Sequence, residues 1–139
     1  MPLDKTKYKV LKLDCPAEKV LRITFDRPET YNSLDADGHR ELAYIWREID
    51  DDPTINSVLL TGAGKAFSSG GDFEMIEKVM DDFDFRAQIW KEAKDLVYNV
   101  INCSKPIVSA INGPAVGAGL VAGLLADISI AGKKAKIVD

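Results

Sequence analysis

The sequence predicts an α/β fold with parallel strand pairing, and three observations lead there. Strand-like and helix-like segments interleave along the chain. One unit, a buried strand followed by a glycine loop and a helix start, occurs at least twice, beginning at V-L-L-T-G (58–62) and V-S-A-I-N-G (108–113). No linker or low-complexity stretch divides the series. Such interleaving puts helices against a parallel sheet and brings the loops that follow its strands to one sheet end.

Residues 8–13 read as a first strand and residues 20–25 as a second. In the second, Leu21, Ile23 and Phe25 alternate with Arg22 and Thr24, the two-residue period of a half-buried strand. Residues 14–18 (D-C-P-A-E) join the pair as a hairpin. Arg27-Pro28 ends the second strand, because proline cannot donate to a ladder. Leu42, Ile45, Trp46 and Ile49 then fall on one helical stripe over residues 35–50, which Asp51-Asp52-Pro53 stops. His39, at the start of this helix, reads as solvated. Residues 56–60 return to strand and enter the loop T-G-A-G-K-A-F-S-S-G-G of residues 61–71. Asp72 opens a short helix to Met80. A longer helix spans 84–102, with Ile89, Trp90, Ala93, Leu96, Val97, Val100 and Ile101 on its apolar face. After Lys105-Pro106 come a buried strand (107–111), a second glycine loop (112–117) and a helix of small residues (118–126). Residues 127–131 and 135–138 read as two more short strands.

Composition excludes more than it selects. Of 139 residues, 46% are hydrophobic and 29% charged, and 18 basic against 22 acidic side chains leave a net charge of −4. That mild, dispersed acidity argues against nucleic acid as a partner. Cys15 and Cys103 lie far from each other and from the single histidine, so no metal site is expected and the thiols read as reduced, in a cytoplasmic protein. The N-terminus has no uninterrupted apolar core, and the longest apolar stretch (114–126) falls short of the ~20 residues needed to span a bilayer. Neither secretion nor a membrane is expected.

Several motif readings fail on spacing. Residues 113–123 follow a strand, but a dinucleotide-binding turn would need glycine where Ala115 stands. Gly64-Lys65 lacks the earlier glycine of a phosphate-binding loop and is followed by Ala66 instead of a hydroxyl residue. Ser68 and Ser69 sit outside any G-x-S-x-G elbow and read as loop serines bonded to nearby backbone. Asp81, Asp82 and Asp84 read as helix caps, not as a calcium loop. What remains is the pair of glycine loops. Small residues at 69–71 and 117–119 let a ligand reach the backbone, and converging N–H groups suit a carbonyl that becomes an oxyanion. Tight turns and close helix packing are the alternative use of those glycines.

Four ordered segments resemble a known family. A-F-S-S-G-G-D (66–72) resembles the A-F-x-A-G-x-D segment of the crotonase superfamily, the enoyl-CoA hydratases and isomerases. K-P-I-V-S-A-I-N-G-P-A-V-G-A-G (105–119) resembles its K-P-x-I-A-A-I-x-G-x-A-x-G-G-G. Arg27-Pro28 with Asn32-Ser33-Leu34 resembles its R-P…N-A-L, and Ala126-Asp127-Ile128 its C-D-I. The resemblance implies a crotonase/ClpP-like spiral of strand–strand–helix repeats, with residues 1–139 as a partial acyl-CoA-binding domain that stops before the C-terminal helical part. It implies an acyl-CoA thioester as partner and no separate cofactor, since coenzyme A arrives as part of the substrate. The shared chemistry is polarisation of the thioester carbonyl by two backbone N–H groups, which fall on Gly71 and Ala118. Phe67, Ser69, Gly70, Asp72, Pro114, Val116 and Gly117 would line the thioester and pantetheine path, with Asp72 also capping its helix. Glu29 and Tyr31 would border the coenzyme A. A homotrimer or dimer of trimers is implied, and the isolated 139-residue chain is expected to expose unfinished core edges and to associate.

Two departures qualify the chemistry. Family hydratases carry two glutamates; the position of the first holds Val121, and that of the second falls just past Asp139. Glu74 and Glu77 are expected to face solvent. Two-glutamate hydration is therefore expected to be impaired, while carbonyl polarisation is kept. A catalytically silent coenzyme A-binding scaffold is the second reading. A ClpP-type serine peptidase is the third, disfavoured because neither Gly117 nor Ala118 offers a nucleophile.

Overall fold

The structure, a computed structural model, describes residues 1–138. In chain order its elements are β1 (Leu11–Ala17), β2 (Val20–Phe25), α1 (Ala36–Asp51), β3 (Ser57–Gly62), α2 (Phe73–Asp81), α3 (Phe83–Ile101), β4 (Ile107–Ile111), β5 (Ala115–Val116), α4 (Gly117–Leu124), β6 (Ile128–Ala131) and β7 (Ile137–Val138). The main sheet runs β1-β2-β3-β4-β6, with β1 antiparallel to β2 and the other pairs parallel; β5 and β7 form a small parallel sheet. The α/β expectation therefore holds.

Register explains where the core sits. Leu21 lies beside Val58, which lies beside Ile107, and the next buried row is Ile23, Leu60 and Ser109. These rows pack on the stripe Leu42, Ile45, Trp46 and Ile49 of α1, all fully buried. Burying each such side chain favours folding by roughly 1.5–3 kcal/mol. Asp35, Asp72 and Asp82 accept from the backbone N–H three residues on and so cap α1, α2 and α3. The last confirms the cap reading of the acidic run. Glu74 and Glu77 are exposed, as expected.

Three expectations need correction. The first strand begins at Leu11, not at residue 8, because the Glu41 carboxylate accepts from the N–H groups of Lys9, Val10 and Leu11 at 2.7, 3.1 and 2.9 Å. Residues 14–17 extend the strand instead of turning; Arg22 Nε donates to Asp14 Oδ1 across the hairpin at 2.8 Å, and the turn falls at Glu18-Lys19. His39 is buried, not solvated.

A fourth correction concerns α3. Trp90 and Ile101 are 67% and 62% exposed, whereas Glu92, Asp95 and Asn99 are buried with Ile89, Leu96 and Val100. The cause is complementary chemistry on α1. His39 Nδ1 and Glu92 Oε2 share a hydrogen bond of 2.8 Å, and Arg40 Nε donates to Glu92 Oε1 at 3.1 Å. Tyr44 donates to Asp95 at 2.9 Å, and Arg47 to Asn99 at 2.8 Å. An apolar-periodicity reading counts only carbon, so it misses a helix pair sealed by polar partners.

Burial alone would raise the pKa of Glu92, but hydrogen bonds from His39, Gln88 and Arg40 outweigh it and hold the carboxyl below its ordinary value. A depressed folded-state pKa contributes stability above the unfolded-state value, and that stability is lost as pH falls through the folded-state value. Thermal unfolding should therefore show Tm falling as the solution is acidified below about pH 4.5. Glu92→Gln should lower stability near neutrality by about 2 kcal/mol and flatten that acid limb. An acid limb of unchanged slope would refute the assignment.

Candidate active site

Because Leu60 pairs with Ser109 and Thr61 with Ala110 in parallel, both glycine loops leave the sheet at the same end. Two asparagines then tie the first loop down. Asn32, buried and left-handed at φ +59°, donates to the carbonyls of Ala63 and Ala66 at 2.8 and 2.9 Å, and its Oδ1 accepts from Arg27 N–H at 2.9 Å. Asn112 donates to Gly64 and Ala66 carbonyls, each at 3.2 Å, and accepts from Gly62 N–H at 3.1 Å.

Beyond this clamp, residues 67–72 run between two backbone partners. On one side the Pro114 carbonyl accepts from Phe67 and Ser68 at 2.9 and 3.2 Å, and Val116 N–H donates to Ser68 O at 2.8 Å. On the other, Leu34 N–H donates to Gly70 O at 2.8 Å, and Asp72 N–H donates to Leu34 O at 2.9 Å. The C=O and N–H of one trans peptide point in opposite directions. With Gly70 C=O turned toward Leu34, the N–H of Gly71 in the same peptide points away from Leu34.

The second loop meets the first through bare backbone. Gly70 and Gly117 have φ of +82° and +57°, and a Cβ added to Gly117 would stand 3.5 Å from Gly70 Cα. A Cβ on Gly70 would lie 3.1 Å from the Val116 carbonyl oxygen. Ala118 is the second residue of α4, so its N–H has no acceptor four residues back, and Val116 supplies no side-chain cap. Beside Gly71 lies a cleft of about 520 Å³ lined by Thr30, Tyr31, Ser33, Ser69, Gly71, Asp72, Phe73 and Ile76.

The expected site residues thus fall into groups. Tyr31, Ser69, Gly71 and Asp72 share the cleft, and Asp72 also caps α2 through Met75 N–H at 2.8 Å. Gly70, Val116 and Gly117 form the crossing, with Ala118 one residue on and the Pro114 carbonyl tied to the first loop. Glu29 is exposed in the 3-10 turn Pro28–Thr30, outside the cleft lining. Phe67 is a correction. Its ring is fully buried, edge-on to Phe25 at 5.3 Å and 80°, so it packs beneath the loop and cannot line a ligand path. Val121 is 38% exposed on α4. The role of Asn32, Asn112 and the side chain of Ser68 was not apparent from the sequence. The available signal was chemical and confined to Asn112: an asparagine at the start of a glycine loop can close several backbone groups at once.

The sequence profile of the enoyl-CoA hydratase/isomerase family matches residues 16–139. The chain belongs to that family. It is 35% identical over 121 residues to the 1,2-epoxyphenylacetyl-CoA isomerase of Escherichia coli, covering 86% of this chain and 46% of that protein. To the (E)-benzylidenesuccinyl-CoA hydratase of Thauera aromatica it is 37% identical over 118 residues, covering 84% and 45%. A solved enoyl-CoA hydratase/isomerase from Mycobacterium paratuberculosis superposes with a TM-score of 0.88 at 36% identity, covering 92% of this chain and 51% of that one. The crotonase-type fold expected from the motifs is therefore the fold of this family member. The chain spans about half the length of the curated relatives it matches. An Arabidopsis thaliana relative named as peroxisomal is also 35% identical, so family membership does not fix the compartment.

In this enoyl-CoA hydratase/isomerase family member, Arg27 and Asp35 pair at 2.7 Å. Burial raises the Asp35 pKa, but the Gly38 N–H and the Arg27 guanidinium bring it below its usual value. Among the described residues no group of three His, Cys, Asp or Glu could hold a metal ion, and no helix is long and apolar enough to cross a membrane.

Proposed function

We propose that the protein binds an acyl-CoA thioester and polarises its carbonyl with the backbone N–H groups of Gly71 and Ala118, stabilising an enolate-like anion. The crossing of Gly70 and Gly117 within van der Waals reach carries this reading. Its support is the Gly71 N–H turned away from Leu34 in the loop that Gly117 approaches, and the uncapped first turn of α4 that follows Gly117. Donors fixed in this way act on charge that develops in the transition state without reorganising. Ser69, Gly70, Asp72, Pro114, Val116 and Gly117 would line the thioester path, with Glu29 and Tyr31 at its coenzyme A border. Phe73 and Ile76 give the cleft beside Gly71 an apolar wall suited to the acyl portion. Coenzyme A arrives with the substrate and no separate cofactor is proposed. A homotrimeric or dimer-of-trimers assembly in a reducing cytoplasm completes the proposal.

Val121 supplies no proton, so water addition by a pair of acids is not the proposed reaction. Isomerisation, or another reaction of the same anion, is. Crotonyl-CoA hydration should run at least about 10²-fold below a two-acid hydratase, the usual contribution of a general acid–base group. In parallel, a chromophoric aromatic enoyl-CoA should shift to longer wavelength on binding, as its carbonyl is polarised. Hydration at a family-typical rate would refute the first statement, and binding without a spectral shift the second. Binding with a shift but no turnover of any acyl-CoA tested would favour the silent scaffold, for which Val121 is the supporting feature.

A further inference from the structure

Ser68 is fully buried and cannot touch a ligand, yet it contacts both halves of the proposed site. Its hydroxyl donates to the Asn32 carbonyl at 2.9 Å and accepts from Gly70 N–H at 3.2 Å. Its own carbonyl accepts from Val116 N–H at 2.8 Å. On the α4 side the fit is tight: a Cβ on Gly119 would lie 2.3 Å from Ser68 Cβ and 2.4 Å from its Oγ. The peptide bonds on either side of Gly70 are therefore both held, one through its N–H by Ser68 and the other through its C=O by Leu34. Gly70 needs that restraint, because a glycine at φ +82° has little of its own to stop rotation.

We infer that Ser68 is a positioning residue that sets the direction of the Gly71 N–H relative to α4, through the Gly70 N–H and the backbone of Asn32. The inference rests on the oxyanion reading of Gly71 and Ala118. A residue that only filled space would affect stability and leave carbonyl polarisation alone. Ser68 instead controls the angle of a donor, and a misplacement of about 1 Å at such a point costs about 10²-fold in rate.

The test uses the protein with a chromophoric aromatic enoyl-CoA. Ser68→Ala removes both hydroxyl bonds. It should lose most of the bound-state spectral shift, while the Kd for free coenzyme A, which has no thioester carbonyl, stays at the wild-type value. Ser68→Cys nearly preserves shape but donates and accepts weakly, so it should fold and show an intermediate shift. A wild-type shift in either folded variant overturns the role of Ser68. If the wild-type protein binds the thioester without any shift, the oxyanion reading fails first and this inference with it. A full shift in the wild type and a diminished one in the variants supports both.

Discussion

Ala118→Pro is expected to leave the protein folded and to remove about 10²–10³-fold from any turnover that passes through an enolate. Proline lacks the backbone N–H and is tolerated in the first turn of a helix, where that N–H has no intrahelical acceptor. Ala118 occupies such a position, one residue into α4. The change therefore deletes one donor while adding only a small ring beside a half-buried residue. Gly117, which precedes it, has no Cβ to clash with that ring. The bound spectrum of an aromatic enoyl-CoA should lose its shift, and the Kd for free coenzyme A should hold. Wild-type turnover and spectrum in the folded variant would remove Ala118 from the site. Gly71 offers no equally clean experiment, because a Cβ there would stand 2.5 Å from Met75 Cε and mix packing with chemistry.

The largest effect on stability is expected from Asn32→Asp, about 4 kcal/mol, read as a Tm lowered by roughly 10–15 °C. The two side chains are nearly isosteric and both tolerate the left-handed backbone at this position, so neither volume nor strain explains the loss. What changes is the donor. In place of an amide that donates to Ala63 and Ala66, a carboxylate would face two carbonyl oxygens in a buried pocket. Protonation restores one donor, so the deficit should shrink in acid, opposite to the trend expected at Glu92. Chemical denaturation at two pH values checks both signs. A variant within about 0.5 kcal/mol of wild type, the range expected of a surface substitution, would show that the clamp carries little of the loop's stability.

Much of the fold was legible because its carriers are local. The alternation in β2 and the stripe Leu42, Ile45, Trp46 and Ile49 each report one buried face, and both elements lie where the pattern placed them. The glycine loops were legible for the same reason, since residue type and spacing suffice to mark backbone that must be approached closely. Three features needed the partner. His39 looks solvated until Glu92 is placed opposite it, and the buried acids of α3 look external until α1 supplies their donors. Residues 9 and 10 look like strand until Glu41 takes their amides.

The division follows from what a periodic pattern can encode. By itself the sequence determined the α/β class, the order of the elements apart from the two-residue β5, the two glycine loops and the family. Each of these rests on spacing within about 20 residues or on motifs in fixed order. Only the tertiary structure decided how the site is held. Asn32 reaches loop carbonyls 31 and 34 residues away, and Ser68 joins segments 36 residues apart. Hydrogen bonds of that range depend on direction and distance in space. One residue of a pair shows nothing of them until the chain has brought the other into place.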